Sequence, residues 1–83
     1  MRRINIETRL SELRNAIAYS RNEGKIMSIG EGICCNQEIA AWLRVLEDEH
    51  MEPKYVVSES INEKITTINN CIDKENWVRP EII

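Results

Sequence analysis

Thiols and imidazoles are the side chains most readily turned to nucleophilic or metal chemistry, and this 83-residue sequence holds Cys34, Cys35, Cys71 and His50. A Cys-His dyad or a soft metal site can be drawn from these four. Neither has a motif behind it, because zinc sites favour separated ligand pairs, and adjacent cysteines rarely turn onto one tetrahedral ion. The plainer reading is three small hydrophobes and a helix-end histidine that packs beside Trp42 and Leu46. Carboxylates are plentiful, yet they have no aromatic sugar platform, nucleophile signature or cofactor fingerprint around them. The expectation is a non-enzyme with no cofactor and no metal. Gly30-Glu31-Gly32 hints at a phosphate cradle, but it lacks the lysine of a P-loop and the rest of a dinucleotide fingerprint. A tight turn is the preferred reading there.

Charged residues offer recognition chemistry instead. Net charge is −3, divided as +3 over residues 1–25 and −6 over residues 26–83. Such a basic arm on an acidic body could attract a second copy or a partner with a mixed field. Glu47, Asp48, Glu49 and Glu52 gather at the end of a helix, where the dipole prefers cations. Acids kept at such a place suit a surface that recognises arginine and lysine, while the plainer reading is a solvated charge run. Arg9, Arg14 and Arg21 form an alternative basic site, which repeated around an oligomer could hold phosphates. Their plainer reading is the solvated flank of a helix.

The elements that must position these side chains are three amphipathic helices. Asn5 is expected to cap the first, residues 6–22, whose seam is Ile6, Leu10, Leu13 and Ile17. Residues 25–35 read as a loop or a short hairpin around the two glycines. Asn36 is expected to cap the second helix, 37–49, with Ile39, Trp42, Leu43 and Leu46 on its buried face. Lys54 to Val57 reads as a short strand. Ser60 and Glu63 have the spacing of a capping box for the third helix, 60–74, with Ile61, Ile65, Ile68 and Ile72 as its seam. The fold class is therefore mainly α, with α+β as the alternative: three helices and one or two short strands. A single domain over 1–83 is expected, frayed at 1–5 and 79–83, with Trp77 packed back on the core. The helical seams could pair with each other or between subunits, making a homo-oligomer.

Composition limits the rest. Apolar residues make up 42% and charged residues 30%, as in a globular protein, and with no Phe, two Trp and two Tyr a stacking platform for single-stranded bases is hard to assemble. No apolar run suggests a signal peptide or a membrane span, and an odd cysteine count with two adjacent does not look like a secreted disulfide framework. A cytoplasmic setting is expected.

The segment Tyr55-Val56-x-Ser58-Glu59-Ser60-x-Asn62-Glu63-x-Ile65, with Trp77 downstream, resembles the strand-to-helix segment of a small phage-encoded anti-CRISPR protein acting on the RNA-guided nuclease of type II systems. The resemblance covers about a quarter of the chain. It implies a non-enzymatic phage or mobile-element protein, in the cytoplasm of an infected bacterium, that inhibits a host defence protein by occupying its functional surface. It places Ser58, Glu59, Asn62 and Glu63 where a nuclease would otherwise meet DNA, with Glu47, Asp48, Glu49 and Glu52 extending that surface.

Two other readings remain open. Asn36 to Leu43 looks like the first helix of a helix-turn-helix, although the acidic segment that follows is too long for the turn. A DNA-binding regulator is thus the first alternative. A helical oligomer that sequesters a nucleotide signal through its arginines is the second.

Overall fold

A computed structural model gives the backbone of residues 3–22 and 26–75, with side chains described for 5–22 and 26–72. Three helices follow one another: α1 is Arg3–Asn22, α2 is Ile29–Glu47 and α3 is Glu59–Glu75. Mainly-α holds. The expected short strands are not seen among the described residues, and Lys54 to Val57 is a non-helical connection without a ladder partner. The expected docking of Trp77 and the fraying of 79–83 fall outside the described residues.

α1 is the helix on which both others pack. Its seam behaves as the periodicity requires, with Ile6, Leu10, Leu13, Ala16 and Ile17 buried against Ile61, Ile65 and Ile68 of α3 and Cys35, Ile39 and Trp42 of α2. Burial of such side chains contributes roughly 1.5–3 kcal/mol each. The isoleucine seams are therefore consumed within one chain. Asn69 fastens α3 to α1, its Nδ2 donating to Glu12 O at 3.3 Å while its Oδ1 accepts from Asn15 Nδ2 at 3.3 Å.

The largest correction concerns α2, which begins two turns earlier than expected. Ser28 is its cap: Ser28 Oγ accepts from Glu31 N at 3.2 Å and Glu31 Oε1 accepts from Ser28 N at 2.8 Å, a complete capping box. Gly30-Glu31-Gly32 is thus the first turn of a helix, and residues 25–35 contain no hairpin among the described positions. Asn36 is no cap; it lies inside α2 and donates to Gly32 O. Two glycines lower helix propensity by about 1 kcal/mol each relative to alanine, but the box and the apolar contacts beyond it outweigh that.

Asn5 likewise lies inside α1, which starts at Arg3. Ser60 lies inside α3, where a backbone hydrogen bond runs from Asn62 N to Ser58 O, so Ser60 is a helical residue and not the cap expected to form a box with Glu63. Leu43, expected on the buried face, points outward, while Leu46 is half-buried against the core.

Candidate functional site

A buried carboxylate organises the region where the three helices meet. Glu38 is 1% exposed, among apolar side chains. It lies on the inward stripe of α2, three residues after Cys35 and four before Trp42, so helical geometry forces it into the core. A charge there is tolerated only with full compensation, and Glu38 has it. Arg9 of α1 offers a forked pair, Nε to Oε2 at 2.7 Å and Nη2 to Oε1 at 3.1 Å. Trp42 Nε1 donates to Oε2 at 2.7 Å, and Val57 N donates to Oε1 at 2.9 Å. Arg9 Nη2 continues to Asn62 Oδ1 at the start of α3.

The protonation states follow from these contacts. Burial alone would raise the Glu38 carboxyl, but the hydrogen bonds from Arg9, Val57 and Trp42 and the Arg9 charge hold it below the ordinary carboxylate range. Burial also works against the Arg9 charge, and the hydrogen bond and charge of Glu38 overcome it and raise the guanidinium value. Both groups are charged at neutral pH. Glu38 is thus a structural anchor rather than a proton donor.

Above this anchor lies an open groove of about 750 Å³, lined by Asn5, Thr8, Glu12, Glu52, Val56 and Asn62 among others. Val56 is 60% exposed there, an apolar surface beside two carboxylates. Asn62 also borders a shallower depression with Glu59, Glu63, Thr66 and Thr67. Of the residues named from the sequence, Glu52 and Asn62 share the groove and Glu59, Asn62 and Glu63 share the shallower depression, with Asn62 common to both. Ser58 is exposed beside them, its Oγ 3.2 Å from Ser60 Oγ.

Glu47, Asp48 and Glu49 stand apart from this lining, at the end of α2. Asp48 is the C-cap, its N–H bonded to Arg44 O at 3.0 Å, and its Oδ1 accepts from His50 N at 3.0 Å. All three are exposed. The arginines do not share a site: Arg14 and Arg21 are exposed, whereas Arg9 is spent on Glu38.

His50 is exposed in the turn after α2 rather than packed beside Trp42. Cys35 is buried and its thiol is pushed up to about 11, chiefly by burial and then by the Glu38 charge, so it is no thiolate nucleophile. Cys34 and Cys71 are half-buried, and a hydrogen bond with Cys34 raises the Tyr55 phenol. Among the described residues no group of three or more His, Cys, Asp or Glu side chains is placed to hold a metal ion. No helix among them is long and apolar enough to cross a membrane.

Sequence reasoning missed Glu38. The available signal was a glutamate on an apolar stripe, one turn before a tryptophan whose indole N–H needs an acceptor. No protein-family model matches the chain, and neither a curated protein nor a solved structure resembles it at a significant level.

Proposed function

We propose that this chain is a non-enzymatic interaction protein, phage- or mobile-element-encoded, which inhibits a host defence protein by occupying a basic functional surface. The observation that carries the reading is the face around Asn62. Glu12 and Glu52 line a groove with an exposed Val56 on a base held by Arg9 and Glu38, and Glu59 and Glu63 line the adjoining depression that shares Asn62 with it. Arginine and lysine of a nucleic-acid-binding partner suit such a face, because their aliphatic stems can lie on Val56 while their heads reach carboxylates. The resemblance from Tyr55 to Trp77 puts Ser58, Glu59, Asn62 and Glu63 in the same role. Glu47, Asp48 and Glu49 then act as a separate acidic patch that raises the association rate.

The test is capture of RNA-guided nucleases and other purified defence proteins by the tagged chain, with Glu59→Lys/Glu63→Lys and Glu47→Lys/Asp48→Lys/Glu49→Lys variants alongside. The expected result is capture that the first variant abolishes and the second slows. Salt-sensitive binding to duplex DNA, with no defence protein retained, would overturn the proposal in favour of a DNA-binding regulator.

A further inference from the structure

α2 carries two apolar stripes, and only one of them is used. The inward stripe is Cys35, Ile39 and Trp42 with the anchored Glu38. On the opposite side, Ile29, Ile33, Asn36, Ala40 and Leu43 follow one another in steps of four, three, four and three residues. That is the spacing of a coiled-coil seam. Every one of them is exposed, Ile29 at 85% and Ile33 at 53%, and Ile26 just before the helix adds to the same surface. Lone exposed isoleucines are ordinary, but a seam of this length on one face marks an interface.

We infer that this outward face of α2 is the contact between two copies of the chain, packed antiparallel about a two-fold axis between Ile33 and Asn36. The orientation follows from charge. A parallel pair would set Glu47, Asp48 and Glu49 against their own copies, at helix ends that already repel anions. An antiparallel pair carries those acids to the other end of α2, where the exposed Arg21 borders a groove of about 790 Å³ with Ile26, Ile29 and Ile33, and where the half-buried Lys64 is already paired with Glu31 at 2.7 Å. The register follows from the side chains. Centring the axis there opposes Ile29, the most exposed large residue, to Ala40 of the second copy, the smallest in the seam. Leu43 of the second copy then comes over Ile26 at the mouth of the groove. Asn36, the single polar position, has its Nδ2 bonded to Gly32 O within α2 at 3.2 Å and comes opposite Ile33 of the second copy.

This contact differs from one through the Ile/Leu seams of α1 and α3, which are buried within the chain. It also lies on the far side of α2 from Glu38, so the face around Asn62 stays open in both copies and the pair is bivalent. The inference does not depend on what that face binds.

The test measures solution mass by light scattering over a wide concentration range, for the full chain and for Ile29→Glu/Ile33→Glu. A dimer is expected for the former and a monomer with unchanged helical circular dichroism for the latter. A monomer at every concentration, or a dimer that survives the double substitution, would overturn the contact. Orientation is read by oxidising variants with one introduced surface cysteine in a Cys34→Ala/Cys71→Ala background, where the remaining Cys35 is buried. Ile29→Cys and Ala40→Cys chains should cross-link when mixed but not alone, because like positions are about 16 Å apart along the antiparallel pair. Cross-linking of either variant with itself would overturn the antiparallel arrangement.

Discussion

Arg9 and Glu38, 29 residues apart in the chain, meet in a forked ion pair at 2.7 and 3.1 Å, and through it α1, α2 and the start of α3 are tied together. The pair is worth less than its contacts suggest, since both ions lose hydration, but breaking it is costly. Glu38→Gln leaves the Arg9 charge uncompensated and should destabilise by about 3 kcal/mol, the lower part of the range for a pair with one partly solvated member. Arg9→Met should cost a similar amount. Their combination should cost clearly less than the two together, and additivity in a denaturant double-mutant cycle would show that the pair is not coupled.

The same carboxylate sets how stability varies with pH. Its folded value lies below the unfolded one of about 4.3, so its contribution is complete above that value and is lost as pH falls through the folded value. Glu31, held down by hydrogen bonds from Lys64 and then Ser28, acts in the same direction. Unfolding free energy should be level from neutral pH to about 5 and drop below about 4. In Glu38→Gln the drop should be shallower, measured by urea unfolding at each pH.

Two glycines within α2 decide between a helix and a turn at residues 30–32. A Cβ at Gly32 meets nothing within 4 Å, and one at Gly30 meets only Ser28 Oγ at 3.9 Å. Gly30→Ala and Gly32→Ala should therefore each stabilise by about 0.5–1 kcal/mol. Ser28→Ala removes the cap and should cost about 1 kcal/mol. Thermal melts check all three, and destabilisation by both alanines would restore the turn.

What the sequence made legible was periodicity without competition. The seams of α1 and α3 contain no glycine and no charge on the inner face, and Ile6, Leu10, Leu13, Ile17, Ile61, Ile65 and Ile68 are buried as their spacing requires. α2 mixes signals. Gly30 and Gly32 suggest a turn by local propensity, while Ser28 and Glu31 spell a capping box four residues long that includes one of them. The longer-range burial of Cys35, Ile39 and Trp42 decides between them, and it is not a local property. Tyr55-Val56-Val57 has the composition of a strand, but a strand needs a neighbour, and the Val57 N–H is taken by the Glu38 carboxylate instead. Of the residues around Asn62, Glu59 and Glu63 share its depression because all three lie on the first turns of α3, and Glu52 meets Asn62 in the neighbouring groove. Arg9 was visible as a cation, but its partner was hidden among apolar residues.

Thiol chemistry offers a check on the core that needs no partner. Cys35 is fully buried, with Met27 Sδ 3.9 Å from its Sγ, and burial together with the Glu38 charge raises its thiol to about 11. Since the thiolate is the reactive species, Cys35 should stay unmodified by a thiol reagent at mildly alkaline pH while the half-buried Cys34 and Cys71 react. All three should react in denaturant. Glu38→Gln both loosens the native state and removes the nearest negative charge, so the protected thiol should become reactive at a rate that follows the population of open molecules. Rapid labelling of Cys35 in the intact native protein, read by peptide mass spectrometry, would mean that the contact of α2 with α1 is looser than the packing around Trp42 requires.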